Sequence, residues 1–230
     1  MLKLDCITIT QDDFTLKADL EVATGRRVAV IGPSGAGKST LLGAIAGFVP
    51  LSAGRILYDG NDLARVTPGK RPMTMLFQDN NLFPHLTLDQ NVGLGLRPDL
   101  RLGAADRARV TEALDRVGLA GYGDAVPGRL SGGQQSRAAL ARILVQNKPL
   151  ILLDEPFSAL GPALRNDMLD LVRELVTEAG ASLLMVTHAP EDVRRIAQDV
   201  IFVDRGIASA PQDAMSLMEN PTPELKDYLG

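Results

Sequence analysis

The residues best suited to chemistry stand together in Gly32-Pro33-Ser34-Gly35-Ala36-Gly37-Lys38-Ser39-Thr40. Glycines at this spacing let successive backbone N–H groups curl round a phosphate with no Cβ in the way. A helix starting at the end of the run adds its partial positive charge. Lys38 is then in reach of β- and γ-phosphates, and the Ser39 hydroxyl is a ligand for Mg²⁺. The plainer alternative is a glycine-rich turn carrying an incidental lysine. The flanks favour the phosphate cradle, because Arg27–Ile31 is an apolar, β-branched run and Leu41–Gly47 has the apolar spacing of a helix packed on a sheet. Strand, glycine-rich loop and helix together predict a nucleotide-binding loop.

A second group of candidates ends an apolar run, Pro149-Leu150-Ile151-Leu152-Leu153-Asp154-Glu155. Ligands of parallel α/β sheets bind outside the carboxyl ends of the strands. A strand ending in Asp154 suits a carboxylate that holds Mg²⁺, directly or through water, beside a phosphate loop. Glu155 is then placed to act as general base for in-line attack on a γ-phosphate. On their own, adjacent acids after a strand read as a helix cap or a solvated turn; Lys38 and Ser39 upstream favour catalysis. Leu130-Ser131-Gly132-Gly133-Gln134 repeats the physics of the first loop, a hydroxyl and glycyl N–H groups at a helix start. Its plain reading is a Ser-capped helix. A chain with one nucleotide loop has no need of a second phosphate cradle unless that cradle serves another copy.

The surrounding elements follow from periodicity. Residues 2–10 and 14–22 alternate as two antiparallel strands, and 27–31 is a buried strand before the loop. Arg55–Tyr58 is a strand closed by the hairpin-type turn Asp59-Gly60. Met73–Phe77 is a short apolar run ending at Gln78. From 79 to 147 helix signals dominate, at Leu88–Leu94, Ala104–Val117 and Gly133–Val145. Helix follows from Pro162, a good first helical residue, to Ala179, then strand Ser182–Thr187 ending at His188. Helix 190–197, strand 199–204 and a short helix near 212–219 complete the pattern. The expected organisation is one domain, with 1–78 and 148–230 forming an α/β core and 79–147 an inserted helical subdomain.

Composition narrows the class. The 230 residues are 45% hydrophobic, enough for a sizeable core. No apolar run approaches the roughly 18 residues of a spanning helix. The start, Met1-Leu2-Lys3-Leu4-Asp5, lacks the charged-then-apolar order of a signal peptide. A single cysteine, Cys6, excludes an intramolecular disulfide and reads as a small core residue. Net charge of −4 gives no general basic field for nucleic acid. Two histidines, His85 and His188, exclude a His-rich metal site.

The order Gly32–Thr40, Gln78, Leu130–Gln134, Leu150–Glu155 and His188 resembles the ATP-binding cassette (ABC) ATPase family over nearly the whole chain. The resemblance implies a P-loop NTPase α/β fold with a mixed β core, an N-terminal antiparallel β part and the inserted helical subdomain. It implies ATP and Mg²⁺, and two copies paired head to tail. Ser131, Gly132, Gly133 and Gln134 would face the ATP held by the loop of the opposite copy. Gln78 would touch Mg²⁺ or the attacking water and relay to a membrane partner, and His188 would hydrogen-bond the γ-phosphate and orient the water. Read alone, Gln78 says almost nothing, and a His after a buried strand is more often a structural hydrogen-bonder.

Within the family, Met75–Thr87, Gln90–Leu96, Gly47-Phe48 and Ser182–His188 are similar to the ATP-binding subunits of bacterial thiamine importers. This implies uptake of thiamine and its phosphates through a separate permease, fed indirectly by a periplasmic solute-binding protein. The chain would sit peripherally on the cytoplasmic face of the inner membrane. The short chain, without the added regulatory domain of several other import cassettes, points the same way. Importers of iron, polyamine or molybdate, and a soluble non-transport ABC ATPase, are the alternatives. Leu82, Phe83 and Leu86 read equally as core or as the groove for a permease helix. Three positions depart from the family pattern. Gly161 replaces the usual Asp after Ser158-Ala159-Leu160, leaving Asn166 or Asp167 as substitutes. Gln11-Asp12-Asp13 lacks the usual adenine-stacking ring, with Phe14 nearest and more naturally a core-facing residue. Ser136 replaces a longer polar residue.

Overall fold

The computed structural model describes residues 1–79 and 81–229. Asn80, within the stretch that carries the import resemblance, lies outside them. Two long antiparallel strands, β1 (Leu2–Gln11) and β2 (Phe14–Val22), bury alternate residues, as their alternating sequence requires. β3 (Arg27–Ile31) leads into α1 (Lys38–Ala46). β4 (Ala53–Tyr58) and the two-residue β5 (Asn61–Asp62) pair across Asp59-Gly60, both left-handed, the geometry of a tight hairpin turn. β6 (Met73–Leu76) precedes three helices: α2 (Leu88–Gly93), α3 (Ala104–Arg116) and α4 (Gly132–Leu144). Then come β7 (Leu150–Asp154), α5 (Pro162–Glu178), β8 (Ser182–Val186), α6 (Pro190–Ile196) and β9 (Asp199–Asp204). Short strands β10 (Ile207–Ala208) and β11 (Gln212–Asp213) and helices α7 (Ala214–Glu219) and α8 (Pro223–Leu229) end the described chain.

The sheet runs β5-β4-β1-β2-β10-β9-β3-β8-β7-β6, and β9, β3, β8, β7 and β6 are parallel neighbours. β7 and β8 are buried along their whole length, which explains their unbroken apolar runs. Their period of two divides the core. Leu150, Leu152, Leu184 and Val186 pack with α1 and the antiparallel strands. Ile151, Leu153, Leu183 and Met185 face the other way and share a cluster with residues of α2, α3, α4 and α5. Ala29, Ile31 and Val200 join α6, α7 and Leu225 in a third cluster.

Register, more than packing, makes a site. Val30 pairs with Val186, Val186 with Asp154, and Leu153 with Leu76. The residues that follow these strands therefore emerge along one sheet edge: the 32–40 loop, His188, Glu155 and Gln78.

Two expectations change. Cys6 is exposed rather than a small core residue. A bulge between Leu4 and Ile7 leaves it unpaired at φ 48°, so the inside-outside alternation skips it. The helix expected from 212 starts at Ala214, because Gln212 and Asp213 pair with Val200 and Asp199 and the Asp213 carboxylate caps the helix at the Ser216 N–H, 2.9 Å. The 204–213 turn region and the last helix carry no strong apolar period, and β10, β11 and α8 were not legible.

The end of α1 is held by a buried cation that bonds backbone carbonyls. Arg71 donates to the carbonyls of Ala44 (3.0 Å), Ile45 (2.6 Å), Leu63 (3.1 Å) and Val66 (3.0 Å). The helix C-terminus offers partial negative charge that offsets the burial, which lowers the guanidinium pKa. Gly47 leaves room for it, since a Cβ there would lie 2.6 Å from Arg71 Nε. Arg71→Met should cost about 3 kcal/mol by stranding these carbonyls, read by urea denaturation. An unchanged midpoint and slope would contradict this role.

Candidate functional site

The loop after β3 needs glycine at two of its positions. A Cβ on Gly32 would lie 2.0 Å from the Val203 carbonyl oxygen of the neighbouring strand. Gly37, at φ 102°, starts α1, and a Cβ there would lie 2.7 Å from Phe14 Cζ. Phe14 thus braces the loop from the β1–β2 hairpin and packs on the core, its core-facing reading. A cavity of about 430 Å³ runs between that hairpin, Pro33–Ala36 and Asp204–Gly206. Ser34 and Gly35 are exposed, Ala36 is buried and Thr40 is half-buried in the first turn of α1.

Lys38 is only 5% exposed, and its Nζ donates to the carbonyls of Gly32 (2.8 Å) and Pro33 (2.7 Å). Burial lowers its pKa, opposed by the charges of Glu155 and Asp154. Ser39 Oγ donates to Asp154 Oδ1 at 2.9 Å, joining the loop to the end of β7. Burial raises the Asp154 pKa, the Ser39 hydrogen bond opposes it, and Glu155 reinforces it. Both shifts run against the charged forms, and a bound anion and cation would reverse them. A hydroxyl and a carboxylate are hard oxygen donors, which suits Mg²⁺.

Glu155 takes a left-handed backbone, φ 48°, unusual for a residue with a side chain. Its N–H still donates to the Val186 carbonyl at 3.2 Å, so β8 holds the turn. The Glu155 carboxylate is hydrogen-bonded to His188 Nε2. Gln78 is exposed just past β6. The structure thus brings together Lys38, Ser39, Asp154, Glu155 and His188, with Gln78 at the same edge.

Ser131 and Gln134 lie elsewhere. They form a reciprocal cap at the start of α4: Ser131 Oγ accepts from the Gln134 N–H (3.3 Å), and the Gln134 side chain accepts from the Ser131 N–H (2.9 Å). Gly132 is exposed, whereas Gly133 is buried and its absent Cβ would lie 2.5 Å from Leu164 Cδ2. Gly132 lies near Leu160. These neighbours belong to α5 and the turn before it, not to the 32–40 loop. Gly161 caps α5 without a side chain, with ordinary φ −64° and open space around it. Glycine is therefore not required there by the backbone. Leu82 packs on the core, whereas Phe83 is exposed, edge-on to His85.

Two features were missed. Arg165 and Asp192 form an ion pair next to His188, separated by 27 positions with no sequence signal joining them. Tyr228, in the last helix, packs against Phe202 at 6.0 Å between ring centroids. Burial raises its phenol pKa, with hydrogen bonding from the Gly32 backbone opposing and Glu155 reinforcing.

Among the described residues no helix is long and apolar enough to cross a membrane. The chain is 61% identical over 230 residues, the full length of both proteins, to the thiamine import ATP-binding protein ThiQ of Cereibacter sphaeroides. It is 55% identical, again over the full length of both, to the protein of that name from Ruegeria sp.. The solved dimeric post-hydrolysis state of the ATP-binding cassette MJ0796, bound to ADP and Pi, superposes with a TM-score of 0.81 at 30% identity, covering 93% of this chain and 99% of that one. Residues 16–158 match the family model described as ABC transporter. The chain belongs to the ABC transporter family.

Proposed function

We propose that this chain is the ATP-hydrolysing subunit of an importer for thiamine and its phosphates, working as a head-to-tail pair beneath a separate permease. The observation that carries the reading is the end of β7, where Asp154 meets Ser39 and the next residue, Glu155, meets His188. The relatives named above support the solute. The loop N–H groups and Lys38 hold the β- and γ-phosphates of ATP. Ser39 and Asp154, with Gln78, would hold Mg²⁺, which would supply charge neutralisation when bound. Glu155 takes a proton from water as the water oxygen bonds to the γ-phosphorus. The bond to the β–γ bridging oxygen breaks, and its electron pair leaves with ADP. His188 and Gln78 orient the water.

The 79–147 segment serves as a helical subdomain presenting Ser131–Gln134 to the γ-phosphate on the second copy. ADP lacks that partner, so hydrolysis removes the differential contact that closes the pair. Closing and opening switch the permease, which receives solute from a periplasmic binding protein. The pair lies on the cytoplasmic face of the inner membrane. Uptake of labelled thiamine should be lost in a strain lacking this chain and return when it is restored. Undiminished uptake without it, or loss of a different solute instead, would overturn the assignment.

A further inference from the structure

We infer that Arg165 is a positioning residue for His188, acting through Thr187 and Asp192. This rests on reading Glu155 and His188 as the water-activating pair. His188 leaves β8 on a short turn, its side chain is 42% exposed, and its ring is hydrogen-bonded to Glu155. Its aim therefore follows from the backbone of residues 187–189. Backbone bonds hold that turn, from the Thr187 N–H to the Val30 carbonyl (3.3 Å) and from the Asp192 N–H to the Ala189 carbonyl (3.1 Å), and a buried hydroxyl adds a side-chain hold. Thr187 Oγ1 accepts from the Ala189 N–H (3.1 Å) and from Arg165 Nη2 (3.3 Å), and donates to Asp192 Oδ2 (2.5 Å).

That hydroxyl is saturated, two bonds accepted and one donated. Arg165 Nη2 also donates to the same Asp192 oxygen at 2.5 Å. Thr187 and Asp192 are 2% and 4% exposed. Arg165 thus neutralises a buried carboxylate that would otherwise be left uncompensated. It also ties the first turn of α5 to the residues on both sides of His188. Lining residues Glu155, Arg165, Thr187 and His188 share a cavity of about 310 Å³, so the ion pair and the reacting pair face the same space. Among the described residues, Arg165 Nε is buried with no hydrogen-bond partner.

The test uses the full chain carrying Arg165→Met, Arg165→Lys or Thr187→Val. Each is measured by steady-state ATP hydrolysis and by NMR of the histidine ring nitrogens. The sequence has two histidines, so a His85→Gln background leaves one ring signal. Arg165→Met is expected to lower kcat by about 10- to 100-fold, as a small misplacement of a reacting group does, with KM for ATP unchanged. Its His188 signal should lose the single hydrogen-bonded tautomer and average as a solvent imidazole does. Arg165→Lys should restore the tautomer and much of kcat. If Arg165→Met fails to fold by circular dichroism, Thr187→Val, which removes only the hydroxyl, gives the same reading. A His188 signal unchanged in both Arg165→Met and Thr187→Val, or an unchanged kcat in them, overturns the inference. If the parent chain hydrolyses no ATP, the functional reading fails, and the ring signal alone decides the positioning.

Discussion

Glu155→Gln should cut phosphate release by between about a hundredfold and ten-thousandfold, the usual contribution of a positioned general base. The amide has the shape of the carboxylate and keeps a hydrogen-bonding oxygen toward His188, but it does not accept a proton from water. ATP binding should survive, because the groups proposed to hold the phosphates are Lys38 and the loop N–H groups, which the change leaves intact. Since binding persists without turnover, ATP should accumulate the closed pair. Size-exclusion chromatography with light scattering should therefore show an ATP-dependent dimer of the variant. Turnover close to that of the parent would remove Glu155 from the role of base.

The second large effect concerns Lys38. Lys38→Met should weaken ATP binding by about 2–4 kcal/mol, as loss of one member of a buried charge pair does. That is about 30- to 1000-fold in Kd, measurable by fluorescence of a nucleotide analogue or by calorimetry. Folding should not suffer. Burial lowers the Lys38 pKa, so the ammonium is a cost in the ligand-free chain, and Met removes that cost. Loss of two hydrogen bonds to Gly32 and Pro33 offsets part of the gain. The midpoint of urea unfolding should therefore stay close to that of the parent. A variant that binds ATP as tightly as the parent would place the phosphates elsewhere.

Most of the fold could be read because its strands and helices have clean periods. β2 and β9 follow their expected limits, and Pro162 and Gly180 bracket α5 as their backbone preferences require. The hairpin turn at Asp59-Gly60 was legible for the same reason, since few dipeptides accept two left-handed residues. Cys6 failed because a bulge breaks alternation without a compositional sign. β10 and β11 failed because two-residue strands exist only through their partners. In the site, the spacing of Gly32–Ser39 and the acids at 154 and 155 carried their own chemistry. Gln78 and His188 gained meaning only from the resemblance, and the register of β6, β7 and β8 sets them on the same edge. The grip of Arg165 on the His188 turn was invisible because ion pairs between distant helices leave no local pattern. Gly133 looked like part of an anion cradle, and its smallness also serves packing on Leu164.

The central claim is that each ATP is clasped between the loop of one copy and the start of α4 in the other. The most direct test is a crystal structure of the Glu155→Gln variant grown with Mg-ATP. The account predicts a γ-phosphate within hydrogen-bond distance of Lys38 in one copy and of Ser131 in the other, with two such sites per pair. ATP bound at Lys38 with Ser131 of every copy facing solvent would contradict it.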